Sequence, residues 1–248
     1  MPTTITSATH GDSLSGSPEK RVDVAPDGTM WALIIQSSKA RFFSSSNGGS
    51  TWSLSTISDL SLGSGQDTAV PSFFIDADGY AHVSFCRWQA NPQVVIYARC
   101  TPRTGGGWSW TQQVISPASG RTEVDSDVIA FRNGTGWSVF VTYGLNASGA
   151  KVAKLTVSST GTITVDATLH GPSLGAGGGY QFGGSLEFDH IGDGKTPSAT
   201  PHLYFVTAQQ ASAGAVRAHK APSSGGIWTS QPPIALAALD AQPPARVD

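Results

Sequence analysis

Residues 45–52 read Ser-Ser-Asn-Gly-Gly-Ser-Thr-Trp, and this octet limits the fold more than any other segment. It fits the pattern Ser/Thr-x-Asp/Asn-x-Gly-x-Ser/Thr-Trp, with Ser45, Asn47, Gly49, Thr51 and Trp52 in the specified slots. The chemistry is that of a tight loop between two strands. Asn47 can accept hydrogen bonds from the turn amides. Gly49 can take positive φ without a Cβ clash. Trp52 opens the next strand with a large apolar surface to bury.

The octet has weaker copies. Thr101 to Trp108 keeps Gly105 and Trp108, and Ala221 to Trp228 keeps Gly225 and Trp228. Val157 to Thr164 keeps Gly161 but not the tryptophan. The starts at 45, 101, 157 and 221 are spaced by 56, 56 and 64 residues, a repeat length that speaks for an array of like units. A second landmark runs in phase. Asp27-Gly28, Asp78-Gly79, Asn133-Gly134 and Asp193-Gly194 each lie upstream of an octet. The first three read as tight hairpin turns, and the fourth lies in a longer, proline-containing insertion. Between these landmarks, β-branched and aromatic runs predict four strands per repeat. They cover 20–25, 29–36, 39–45 and 52–57, then 69–75, 80–88, 93–101 and 108–115. The third and fourth repeats give 127–131, 137–143, 151–157 and 163–169, then 185–188, 202–207, 215–221 and 228–234.

The octet resembles the Asp-box of sialidase-like (BNR-repeat) β-propellers, in which the motif is structural and lies away from the active centre. The fold expected is therefore all-β, a β-propeller of four-stranded antiparallel blades whose lone blades cannot bury both faces and must stack. About four blades are visible, at 19–58, 67–116, 125–170 and 183–235, after a polar arm over 1–18. Residues 236–248 are a closing strand or the start of a further blade, because Arg246-Val247-Asp248 echoes Arg21-Val22-Asp23.

Composition narrows the partners. The chain has 248 residues, is 13% charged and carries a formal net charge of −2, which argues against a nucleic-acid footprint. No segment approaches the ~20 apolar residues of a membrane helix, and residues 1–20 lack the apolar core of a signal peptide. No cofactor and no metal site are expected. The turn Asp76-Ala77-Asp78-Gly79 is similar to part of a calcium loop, but it lacks the downstream glutamate and fits a hairpin turn better. Cys86 and Cys100 fall in consecutive predicted strands. They either meet across a hairpin as a disulfide or remain two half-buried thiols.

In a propeller, the loops from strand two to three, and from strand four to the next strand one, share one face. Ligand sites of sialidase-like proteins lie there, opposite the octets. Here that face would carry Arg21 and the stretches 59–68, 88–92, 119–126, 145–149 and 172–184. The resemblance implies three arginines on a carboxylate, a Tyr–Glu pair and an acidic aspartate. Arg21 is a candidate clamp, since guanidinium binds carboxylates bidentately, although the family's proline is missing after Val22. Arg87, Arg121 and Arg217 lie in no matching motif, so no triad is assigned. Asp67, Glu123 and Asp125, with Asp127, are candidate carboxylates for glycoside hydrolysis, or simply turn and loop residues. Tyr80 and His82, like His202 and Tyr204, are i, i+2 pairs that share a strand face. For binding without chemistry, Arg87, Trp88 and Asn91 form one group and Tyr180 and Gln181 another. Aromatic faces stack on sugar rings and amides bond hydroxyls.

Two functions follow. The first is a non-catalytic binding or structural module that recognises a glycan or cell-envelope receptor and neighbouring protein subunits. Its composition is similar to propeller domains of phage tail proteins, which would place it on a virion tail or otherwise outside the cell. The second is a sialidase-like glycoside hydrolase or a polysaccharide lyase. Fold does not decide between them.

Overall fold

A computed structural model describes residues 22–36, 39–55, 59–62, 71–87, 94–101, 109–115, 122–145, 149–166, 181–182, 185–209, 216–225 and 227–230. All regular structure in them is β-strand, and no helix is long and apolar enough to cross a membrane. The first sheet holds β1 (Val22–Val24), β2 (Met30–Gln36), β3 (Lys39–Ser45) and β4 (Ser53–Leu54), with β5 (Leu60–Ser61) also pairing β3. The second holds β6 (Ser72–Ile75), β7 (Ala81–Arg87), β8 (Val94–Thr101) and β9 (Ser109–Val114). The third holds β10 (Thr122–Asn133), β11 (Gly136–Leu145), β12 (Gly149–Val157) and β13 (Ile163–Asp166). In the fourth, β14 (Gln181–Phe182) and β15 (Leu186–Phe188) both pair β16 (His202–Gln209), followed by β17 (Val216–Pro222) and β18 (Thr229–Ser230). All pairings are antiparallel meanders. These are the four blades of a β-propeller.

Alternation along the strands explains the stacking. In β7, Ala81, Val83 and Phe85 face the first blade, while His82, Ser84 and Cys86 face the third. Both sets are buried, because a middle blade has a neighbour on each side. One apolar cluster joins the first and second blades through Leu33, Phe42, Phe73, Val83 and Ile96. The other joins the second, third and fourth through Tyr97, Trp137, Phe140, Phe188 and Phe205. Each such side chain contributes about 1.5–3 kcal/mol when taken from water.

Where they are described, both sequence landmarks are turns, while the octet copy at 102–108 lies outside the described residues. Gly28, Gly79, Gly134 and Gly194 have positive φ, as do Gly49, Gly161 and Gly225 in the octets. In the best octet, Asn47 Oδ1 accepts from Ser45 Oγ and from the Thr51 amide, both at 2.9 Å, and Asn47 Nδ2 donates to Thr51 Oγ1 at 2.8 Å. Ser45 Oγ accepts from the Gly49 amide at 2.9 Å, and Gly49, at φ 85°, lies against Trp52 and Met30. Asn47→Ala removes all three side-chain bonds of Asn47. It is expected to cost about 1–2 kcal/mol of stability, read as a lower urea midpoint at unchanged m value. An unchanged midpoint would contradict this account.

Two expectations change, and of the two alternatives for the cysteines the free thiols hold. The predicted loop before 127 is strand, because β10 runs from Thr122 and pairs Thr122 with Leu145 and Glu123 with Gly144, with a bulge between Glu123 and Ser126. The two-residue strands β5 and β14 were not expected at all. The cysteines are free and buried. Cys86 pairs with Val95, and Cys100 lies five residues further along β8, about 17 Å away at ~3.4 Å per residue. They also face different clusters, Cys86 toward the third blade and Cys100 toward the first. Burial pushes the Cys100 thiol up to about 12. Residues 1–21 and 231–248, with the echo at Arg246-Val247-Asp248, lie outside the described residues.

Candidate functional site

The meander decides which residues can meet. In each blade the inner strand runs toward the Asp/Asn-Gly turn and the second strand runs back. The start of strand one and the end of strand two therefore share an end, which is the loop end. Arg87 is the last residue of β7, Glu123 and Asp125 lie at the start of β10, and Gln181 starts β14. The backbone brings these four to one end of three successive blades, with β7 packed against β10. Their side chains lie outside the described atoms, as do residues Arg21, Asp67, Trp88, Asn91 and Tyr180 altogether.

The opposite, turn end of the axis is filled. Phe74 of the second blade and Phe188 of the fourth meet with ring centroids 6.2 Å apart. Lys195, from the β15–β16 connection, places Nζ 3.9 Å from the Phe74 ring.

The carboxylates described near the axis are held by amides and hydroxyls. Inner strands have an edge with no ladder partner, and its N–H groups need acceptors. Asp23 Oδ2 accepts from the Ile75 amide at 2.7 Å and from Lys195 Nζ at 2.5 Å, while Oδ1 accepts from the Val24 amide. Asp127, 1% exposed, accepts from Ser72 Oγ at 2.7 Å and from the Val128 and Leu186 amides, both at 2.9 Å. Ser84 Oγ donates to Ser126 Oγ at 2.9 Å between the same two blades as Ser72 and Asp127. The carboxylates tie the inner strands β1, β6, β10 and β15 together, and the serine pair ties β7 to β10.

A buried chain of polar groups lies between the second and third blades. His82 Nε2 is 3.0 Å from Asp76 Oδ2, and His82 Nδ1 is 2.7 Å from Tyr97 Oη. Asp76 Oδ1 accepts from the Asp78 and Tyr80 amides, both at 2.9 Å, so this turn is a hairpin cap. Burial works against the Asp76 charge, but the hydrogen bond and charge of His82 and the two amides hold its carboxyl below the usual range. Burial likewise lowers His82, against the pull of Asp76, and pushes the Tyr97 phenol well up. The set fits a neutral imidazole whose Nε2–H donates to Asp76 and whose Nδ1 accepts the Tyr97 hydroxyl.

Beside it, Arg99 is 1% exposed, and its guanidinium carbon lies 4.0 Å from the Tyr80 ring and 3.9 Å from the Trp137 ring. Among the described residues, none of its nitrogens has a hydrogen-bond partner. Arg132 covers Trp137 at 4.0 Å and pairs with Asp78 at 2.5 Å. These contacts bind blade to blade through cation–π attraction. The sequence reading missed Arg99, yet a signal existed: Val95, Tyr97 and Arg99 alternate onto one strand face.

The i, i+2 pair His202 and Tyr204 does converge, on Asp189. His202 Nδ1 is 3.1 Å from Asp189 Oδ2. Burial raises the Asp189 carboxyl, but hydrogen bonds from Tyr204 and His202 outweigh it and lower it overall. His202 and Asp189 are about one-third exposed, at the turn end of the fourth blade. Among the described residues, no three of His, Cys, Asp and Glu converge as a metal site.

No protein-family model matches the chain, and no curated protein matches its sequence. Solved structures do match its shape. An endo-arabinase from Bacteroides thetaiotaomicron VPI-5482 aligns over 90% of this chain and 82% of that one, with TM-score 0.50 at 11% identity. NanB plus Optactamide aligns over 75% of this chain with TM-score 0.47 at 11% identity, and the chain spans only 26% of that protein's length. At this identity the likeness to the endo-arabinase is one of fold, and the fold is the β-propeller.

Proposed function

We propose that the chain is a non-catalytic propeller module that binds a glycan at the loop end of its blades. The observation that carries this reading is the division of labour between the two ends. At the turn end and along the axis, Asp23, Asp76 and Asp127 have their oxygens engaged by amides, hydroxyls, an ammonium or an imidazole. At the loop end the backbone gathers Arg87 and Gln181, next in sequence to Trp88 and Tyr180. Stacking aromatics with amide and guanidinium donors suit sugar hydroxyls better than bond cleavage. In this reading the module is part of a larger assembly, on a virion tail, where it meets an envelope glycan.

The test is a glycan array beside a turnover assay on a panel of glycosides. Wild-type protein should retain at least one glycan, Trp88→Ala should weaken that binding about tenfold or more, and Arg21→Ala should leave it unchanged. Turnover clearly above background would reject the non-catalytic reading. It would favour a second one, a glycoside hydrolase using Glu123 and Asp125. That alternative draws on the β10 bulge beside these two residues, since bulges often re-aim side chains next to active sites. In that case Glu123→Gln should abolish the turnover.

A further inference from the structure

The blades are not joined alike. Apolar clusters join the first blade to the second, and the second to the third and fourth, but neither cluster joins the fourth to the first. The faces that these two blades turn away from the clusters are partly open to solvent. On the first, Val22 pairs with Ala32, Ala32 with Phe43 and Phe43 with Leu54, one row across the sheet. Its two ends, Val22 at 52% and Leu54 at 56%, are exposed. On the fourth, the matching row runs Glu187, Tyr204, Lys220 and Thr229, with Glu187 and Thr229 exposed. Ala32 and Phe43, between those ends of the first row, are buried, but among the described residues neither apolar cluster includes them or links the two rows.

Among the described residues, the β15–β16 connection crosses between these blades, and it is built as a hydrogen-bonded projection. His190 and Pro197 form a bridge, the Ile191 amide donates to the Thr196 carbonyl, and the Ser198 amide donates to the Asp189 carbonyl. At its tip, Asp193 accepts from the Lys195 and Thr196 amides and from Thr196 Oγ1. This fixes the backbone of Lys195, whose side chain then runs inward. The residue is only 8% exposed, with Nζ against Asp23 Oδ2 and the Phe74 ring. Asp23 is itself anchored by the Val24 and Ile75 amides, so both partners are preorganised.

We propose that Lys195 and Asp23 are a clasp that closes the ring between its fourth and first blades. The clasp does the work that apolar packing does at the other three joints. Loss of either partner leaves a charge without its counter-ion in a poorly hydrated place, which is far costlier than losing a surface ion pair. The ring then opens locally, at β1 and around β15–β16, rather than throughout. This inference is independent of the glycan reading.

Hydrogen exchange read by mass spectrometry on the full chain tests it, with Lys195→Met, Asp23→Asn, the double variant and Lys195→Arg. Each single neutral variant should speed exchange about tenfold or more in residues 22–36 and 186–209 and leave 128–141 unchanged. The double variant should be no worse than the poorer single one, because the coupling is already gone. Lys195→Arg, which keeps a cation, should recover most of the protection. The proposal is overturned by unchanged exchange at both sites, by an equal rise in all four blades, or by effects that simply add. Should Asp23→Asn fail to fold, the contrast between Lys195→Met and Lys195→Arg decides alone, and equal behaviour of the two rejects the clasp.

Discussion

Asp127→Ala is expected to cost about 3–5 kcal/mol, a large share of the ~5–15 kcal/mol that holds a domain of this kind folded. The estimate follows from what stays behind. The Leu186 amide of the fourth blade, the Val128 amide and the Ser72 hydroxyl of the second blade all point at the carboxylate. Two of the three are backbone groups that no mutation removes, and each buried donor without an acceptor costs about 1–3 kcal/mol. Water cannot easily substitute, since Asp127 is 1% exposed and Ser72 fully buried. Asp127→Asn keeps the shape but turns one acceptor into a donor facing a donor, so a loss of roughly half is expected. Ser72→Ala removes a donor along with its bond and should cost no more than about 1 kcal/mol. Guanidinium denaturation of the three variants measures this order. A cost below 1 kcal/mol for Asp127→Ala would mean that the carboxylate does not tie three blades together.

The same residue marks the limit of reading this fold from sequence. The glycines of the octets and of the Asp/Asn-Gly turns were legible because positive φ is a local demand, met within a few residues. The strands β2, β3, β7 and β8 were legible because alternation is also local, and each was located to within one residue of its ends. Asp127 ends an acidic stretch with Glu123 and Asp125 and opens the predicted strand 127–131, and nothing local marks its carboxylate as buried. Partners 55 and 59 residues away help to make that position tolerable. Lys195 is a stronger case, since its carboxylate lies 172 residues earlier in the chain. The two-residue strands β5 and β14 carry no periodicity to detect. For the candidate site the reach of sequence was shorter still. The meander places the backbone of Arg87, Glu123, Asp125 and Gln181 at one end of their strands. The roles of their side chains depend on loops whose conformation no local pattern dictates.

His82→Phe is expected to cost about 2–4 kcal/mol near neutrality and to flatten the acid side of the stability profile. The cost arises because Asp76 Oδ2 and the Tyr97 hydroxyl both lose their partner in a fully buried place. The pH effect arises because burial, helped by the Arg99 and Lys195 charges, holds His82 below its ordinary 6.5 although Asp76 pulls the other way. The unfolded chain takes up a proton on this imidazole as pH falls through 6.5, whereas the folded chain does so only at its lower value. Stability from a neutral His82 is therefore complete above 6.5 and drains away below it, by at most ~1.4 kcal/mol per pH unit, until the folded group also titrates. Asp76 adds a second stage in the same direction. Its folded value lies below 3.8, so its contribution is complete above 3.8 and is lost as pH falls through the folded value. The phenylalanine variant removes the first stage. Asp76 then keeps its two amide donors but not the imidazole, so its folded value rises toward 3.8 and the second stage should shrink. Tyr97→Phe, which removes only the far end of the chain, should cost about 1 kcal/mol and keep the slope. Urea titrations at pH 8, 7, 6 and 5 distinguish these outcomes, because the remaining histidines contribute equally to wild type and variant. An identical slope in wild type and His82→Phe between pH 6.5 and 5 would show that His82 is not the group that makes this propeller acid-sensitive.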